Sequence, residues 1–354
     1  MKKFILKFAL FLSLIFTIDF TLARLLDLGR PADYAAFVDS KKEYDTLPQV
    51  DILFLGDSQT ADGFVPAVFE EKLGVTAFNY GVYQMSPFEG YFLLKDLVAR
   101  HAQPPKLVVL GTDAQMFHYQ VSDGRYSPLF IKNPFHLMPL LYESDNLGAF
   151  TAVGRKKYLF GGLIKKIATG HVGTEVRREV QRIENGYLLN AKHYADRSQF
   201  DCEKDRGFFS AAPVDKQIEY FHKTLAFLRE NNIPVIVANL PMHKNFLAGL
   251  RAKPAYREFS HVMNEIASRH GVEVFNQDHT LLVNELTDEE FLDGDHLCFS
   301  GAQKYSAAFA AYLQAAGFPS KSFSVIANHE TPGSAAHGKQ RPGSRGVLTV
   351  RTKF

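Results

Sequence analysis

Short apolar runs alternate with helically spaced apolar positions along most of this chain. Ile52–Leu55 is wholly apolar and stops at Gly56, which is how a strand buried on both faces reads. Phe64, Val65, Val68, Phe69 and Leu73 follow at helical spacing and close on Gly74. Residues 75–78 predict a second strand and 107–110 a third. Between these two, Ser86 and Glu89 flank Pro87 as a capping box, opening a helix that buries Phe88, Phe92, Leu93 and Val98. Further on, a helix over 215–230 carries Ile218, Phe221, Leu225 and Leu228, and a strand is expected at 235–238. A helix over 255–269 closes on Gly271, and a fifth strand is expected at 272–275. The last helix is placed from Ser300, with Gln303 completing a second capping box. This order predicts an α/β domain over 51–320, built on a mainly parallel five-stranded sheet with helices on both faces.

Three stretches depart from that rhythm. Residues 114–210 hold scattered aromatics, Pro128, Pro134 and Pro139, and the basic clusters Arg155-Lys156-Lys157 and Lys165-Lys166. They read as a large insertion after the third strand, and a loop of that length needs structure of its own. A partly helical cap over the site is the expectation. Residues 27–50 are mixed and polar and read as a linker with a short helix. Residues 327–354 are rich in Gly, Ser and Pro. They carry Lys339, Arg341, Arg345, Arg351 and Lys353 against the single acid Glu330, and read as a disordered basic tail.

The first 26 residues point to a membrane. Lys2, Lys3 and Lys7 precede an apolar run from Phe8 to Ile18, with weaker apolar character to Leu26. A strict reading gives the h-region of a signal peptide. A looser one, from Phe4 to Leu22, reaches the roughly 20 residues that span a bilayer. Thr21-Leu22-Ala23 imitates a cleavage site poorly. The lysine bias places the start in the cytoplasm and the rest outside, as an uncleaved anchor or a secreted domain.

Composition narrows the classes. Of 354 residues, 46% are hydrophobic, so the chain is not disordered throughout. The 40 basic residues nearly balance the 38 acidic ones, which argues against a nucleic-acid-binding domain. Two cysteines, Cys202 and Cys298, cannot build a disulfide framework, and a domain of this size does not need one. Cys298 is expected to pack beneath the loop that holds His296.

No P-loop, Rossmann fingerprint, H-E-x-x-H or G-x-S-x-G motif is present, and no cofactor or metal is called for. Gly56-Asp57-Ser58-Gln59-Thr60 directly follows the first strand, where open α/β sheets bind their ligands. Ser58 is either a nucleophile there or a helix cap. Asp293-Gly294-Asp295-His296 lies between the fifth strand and the last helix. A carboxylate three residues before a histidine can accept from Nδ1–H and leave Nε2 to take a serine proton. An acidic surface turn and a divalent-ion site are the alternatives. Asn79-Tyr80-Gly81 and Gly111-Thr112-Asp113 end the second and third strands. There a glycine lets backbone approach a substrate oxygen.

The order GDSQT, NYGVYQMSP, GTDA, DGDHLCFSGA resembles the SGNH, or GDSL-type, hydrolase superfamily over about residues 50–315, the insertion excepted. The resemblance implies a flavodoxin-like three-layer α/β/α fold with Ser58 as nucleophile and His296 and Asp293 as its base and orienting acid. It also implies an oxyanion hole from the N–H groups of Ser58 and Gly81. The third block of that family reads G-x-N-D, with an asparagine as an oxyanion donor, whereas Asp113 stands at this position. An ionised aspartate only accepts, so Asn79, the cap or another group would have to supply the donor.

The N-terminal segment, outer SGNH-like domain and long insertion together are similar to members of bacterial cell-surface polysaccharide O-acylation systems. The implied substrate is an O-acyl group, acetyl in that resemblance, on a surface glycan. The implied partner is a multispanning membrane O-acyltransferase. Hydrolysis and transfer stay open, and so does a non-catalytic, tethered carbohydrate-binding or assembly protein on the same scaffold.

Overall fold

The computed structural model describes residues 2–28, 32–119, 130–143, 163–164, 167–168, 185–187, 213–275 and 286–320. Five strands form one parallel sheet: β1 (Ile52–Leu55), β2 (Ala77–Asn79), β3 (Leu107–Thr112), β4 (Val235–Asn239) and β5 (Glu273–Phe275). Their order is β2-β1-β3-β4-β5, the flavodoxin-like arrangement, with its topological switch between β1 and β3. The α/β expectation therefore holds. The second strand starts two residues later than the apolar run suggests, because Thr76 O is taken up by the N–H groups of Asp51 and Ile52 before the ladder begins.

Strand alternation divides the core in two. Leu53, Leu55, Val108, Leu110 and Val237 face α5 (Pro87–Val98), α7 (Asp215–Glu230) and α9 (Pro254–His270). Ile52, Phe54, Val109, Ile236 and Ala238 face α4 (Pro66–Leu73) and α10 (Phe299–Ala315). The predicted capping box at Ser86 and Glu89 forms, with Pro87 in the first turn. Gly74 and Gly271 close α4 and α9 in the left-handed region, with φ of 65° and 62°. Gly fits that conformation without strain.

The expected box at Ser300 and Gln303 does not form. Helix α10 begins one residue earlier, with Cys298 at its N-cap and no side-chain cap. The capping box lies upstream instead, between Thr287 and Glu290. Cys298 is partly exposed rather than packed beneath the loop, and it is a free thiol. Its Sγ lies 3.3 Å from Glu289 O and 3.1 Å from Ser300 Oγ. Cys202 lies outside the described residues.

The stretch 27–50 holds the short helix expected of it. Helix α2 (Ala32–Lys42) and the 3-10 turn Glu43–Thr46 bury Phe37, Ser40, Lys41 and Tyr44. Tyr44 stands edge-on to Phe78 and to Tyr80. Ahead of it, α1 (Lys2–Asp27) is long and apolar enough to cross a membrane, with a mean hydropathy of 2.0 over its most apolar stretch and that stretch unburied. Of the insertion, the turn Gln115–Phe117 and helix α6 (Pro134–Glu143) are described. Its role as a cap falls mostly outside the described residues, and the tail 327–354 does so entirely.

Candidate active site

Ser58 opens the short helix α3 (Ser58–Gly63), directly beyond the carboxyl end of β1. It is not the cap of that helix. Asp57 is, its Oδ1 accepting from Gln59 N at 3.1 Å. As the first helical residue, Ser58 keeps an N–H with no partner inside the helix.

Close packing holds α3 in place. A Cβ added to Gly56 would lie 2.0 Å from Thr60 Oγ1, and one on Gly111 would lie 1.9 Å from it. Both glycines make room for Thr60. A Cβ on Gly81 would lie 2.4 Å from Ala61 N, so this glycine lets the β2 exit touch the helix backbone. Ser306 on α10 accepts from Val65 N at 2.9 Å and ties the end of α3 to the last helix.

The histidine arrives on a tight turn. Phe291 and Leu297 pair antiparallel and are both buried, and Leu292 N donates to His296 O at 2.8 Å. Asp293 Oδ1 accepts from the backbone N–H groups of Asp295 and His296, at 3.1 and 2.8 Å. His243 N donates to Gly294 O at 2.8 Å, which fixes the turn to the start of α8 (Lys244–Ala252). Gly301 lets α10 approach from below, since a Cβ there would lie 2.3 Å from Glu290 O.

The two pieces meet. His296 Nε2 lies 2.8 Å from Ser58 Oγ, although 238 residues separate them. On the other side of the ring, Nδ1 lies 2.8 Å from Asp293 Oδ1 and 3.0 Å from Oδ2. Nδ1 is also 3.2 Å from Asp295 Oδ1, although Asp295 is the residue next to His296 in sequence. Gln59 Nε2 donates to the other oxygen of Asp295 at 3.4 Å, turning that carboxylate back toward the ring.

Electrostatics follow from these contacts. Burial disfavours the imidazolium, but Asp295 and Asp293 outweigh it and hold His296 well above the ordinary imidazole range. Burial would raise Asp293, yet its bond to His296 and the charge of that ring hold it down at about 2. Asp293, Asp295 and His296 are also the one group among the described residues spaced to hold a metal ion. Nδ1 faces both carboxylates, so an ion held by these three groups would take the place of the Nδ1 proton and leave Nε2 protonated, unable to accept the Ser58 proton.

Three positions differ from the reading of the sequence. Gly81 N–H donates to Asn79 Oδ1 at 2.9 Å, so it is already engaged rather than held open for an oxyanion. Asn79 is not at the substrate surface. It is fully buried, and its Nδ2 lies 2.7, 2.8 and 3.2 Å from the carbonyl oxygens of Phe64, Thr60 and Ala61. It clamps the far end of α3. Asp113 is buried as well and turns Oδ1 to Met116 N at 2.7 Å. A polar residue at a strand end looks alike in sequence whether it faces ligand or the next loop.

No protein-family model matches the chain, and no curated protein does. Among solved structures, a catalytic mutant of Axe2, an acetylxylan esterase from Geobacillus stearothermophilus, aligns at 12% identity with a TM-score of 0.37. The alignment covers 77% of this chain and 97% of that one. A protein described as a platelet activating factor from Streptococcus pneumonia aligns at 13% identity, covering 79% and 94%, with a TM-score of 0.34.

Proposed function

We propose that this chain is a serine-dependent O-acyl esterase or O-acyltransferase of the SGNH type. The observation that carries this reading is the 2.8 Å contact of Ser58 Oγ with His296 Nε2, with Asp293 on Nδ1. A serine hydroxyl is a weak nucleophile until an adjacent base takes its proton, and the base is effective when a third group fixes its tautomer.

In the proposed cycle His296 Nε2 takes the Ser58 proton as Oγ bonds to the acyl carbon. The carbonyl π pair moves onto oxygen, and the Ser58 N–H faces that charge. The tetrahedral intermediate then collapses, the bond to the alcohol oxygen breaks, and His296 returns its proton to that oxygen. Water or a second hydroxyl, deprotonated by His296, attacks the Ser58 ester and regenerates the serine. Water gives hydrolysis and a sugar hydroxyl gives transfer. With Gly81 N–H engaged, Ser58 N–H is the donor available from this pair. One lost oxyanion donor lowers the rate by about 10²–10³-fold. The reading is therefore of a modest catalyst until substrate redirects Gly81.

The acyl group is proposed to be acetyl, carried by a cell-surface glycan, and α1 is proposed to anchor the domain outside a bacterial inner membrane. A secreted, cleaved form is the alternative. A multispanning O-acyltransferase is the proposed partner. A second reading, a tethered glycan-binding scaffold, draws on the engaged Gly81 N–H. Acetate release from O-acetylated glycans separates the two. The enzyme reading expects release by the full chain and none by Ser58→Ala. Glycan binding that is equal in both, without release, favours the scaffold.

A further inference from the structure

Asp57 and Asp113 stand at the carboxyl ends of β1 and β3, the two strands that meet at the topological switch, directly behind Ser58. Each is buried, with 1% and 2% of its surface exposed. One oxygen of each is accounted for: Asp57 Oδ1 accepts from Gln59 N, and Asp113 Oδ1 accepts from Met116 N. The two Oδ2 atoms are also buried and receive no donor from any described residue. β1 and β3 are neighbouring strands, so the two carboxyl groups lie side by side beyond their ends, and each shifts the ionisation of the other.

A carboxylate only accepts, so two of them in contact leave both Oδ2 atoms unsatisfied and place two like charges together in a dry site. A single proton removes both problems at once. We propose that Asp113 is a positioning residue: it shares one proton with Asp57, and that proton fastens the Ser58 turn to the end of β3. The shared-proton pair has the charge and hydrogen bond of an aspartate beside an asparagine. Unlike that amide, it can be titrated open.

The surroundings agree. Burial first, and then the charge of Asp113, lift Asp57 well above the carboxylate range; burial lifts Asp113 also. Facing the pair are His296, whose positive form favours ionisation, and Asp295, which opposes it. Tyr119 faces it from beyond β3, and burial and then these acids raise its phenol. Loss of the shared proton as pH rises puts two anions behind the nucleophile and drives the turn off β3. The catalytic consequence rests on the acyl-transfer reading above, while the shared proton does not.

The experiment measures unfolding against pH for the full chain, for Asp113→Asn and for Asp57→Asn, together with phosphonate labelling of Ser58. The unfolded chain releases this proton at about pH 4 and the native one holds it to a higher pH. The unfolding constant of the wild type should therefore rise about tenfold more per pH unit through that window than that of either amide variant. Labelling of the wild type should fall as that proton is lost and persist to higher pH in Asp113→Asn. Equal pH slopes in all three proteins would overturn the shared proton. An alkaline limb unmoved by Asp113→Asn would overturn the positioning role. If no protein is labelled at any pH, the acyl-transfer reading fails and the unfolding comparison still decides the proton. Should an amide variant not fold, infrared absorption of a buried protonated carboxyl in the wild type at neutral pH decides, its absence counting against the pair.

Discussion

Lys41 Nζ donates to the backbone oxygen of Asn79 at 2.7 Å, inside the core. It donates to Gly186 O at 2.8 Å as well, and its ammonium lies over the rings of Phe37 and Tyr80. Helix α2 is thereby bonded to the residue whose side chain clamps α3. Burial lowers Lys41 to about 7, with Asp62 opposing. Lys41→Met should take the donor from two carbonyl oxygens, at about 1–3 kcal/mol each, and the loss in urea unfolding should be larger at pH 9 than at pH 6, because above about 7 the native amine is neutral and no longer bears the cost of a buried charge. No change there would mean that α2 is not held by this bond.

Asn79→Ala should cost stability as well. It removes the donor to the α3 carbonyls and the acceptor of Gly81 N–H. Buried polar groups left without partners cost about 1–3 kcal/mol each. The expected loss is about 3 kcal/mol in chemical unfolding, with the Ser58 reaction slowed as α3 loosens.

Gly81→Ala tests the packing role assigned to this glycine. A methyl 2.4 Å from Ala61 N must push β2 and α3 apart. Overpacking of this kind costs about 1–3 kcal/mol. A variant as stable as the wild type would show that the exit of β2 has slack.

The pH profile follows from the two acids on His296. Its raised pKa means that the free base appears only above the ordinary imidazole range, so activity should rise with pH along a displaced acid limb. Asp295→Asn removes one charge from Nδ1 and should move that limb to lower pH, with Asp293 still orienting the ring. The stabilising contribution of Asp293 is complete above about pH 4 and is lost as pH falls through about 2. A limb unmoved by Asp295→Asn, in a plot of kcat/KM against pH, would place the charge of Asp295 outside the site.

Much of this was legible before any coordinates. The strands announce themselves because a sheet buried on both faces needs unbroken apolar runs; the Ser58 block falls just past a strand end, and the His296 block lies between the fifth strand and the last helix. The carboxylate three residues ahead of His296 carries its own geometry, since one tight turn brings it to Nδ1. Less legible were contacts between polar groups distant in sequence. Asp57 meets Asp113 only because β1 and β3 are neighbours, and Lys41 reaches Asn79 only because Phe37 and Tyr44 are buried. No local pattern encodes either meeting. Asn79 and Asp113 resemble substrate-facing residues until their partners, Phe64 O and Met116 N, are seen.

The central claim is that Ser58 becomes an ester. Intact-protein and peptide mass spectrometry after brief exposure to an activated acetyl ester tests it most directly. One acetyl group is expected on the peptide containing Ser58, trapped by acid quench. That adduct should be absent in Ser58→Ala, and its formation much slower in His296→Ala. Acetylation elsewhere with Ser58 untouched, or turnover undiminished in Ser58→Ala, would contradict it.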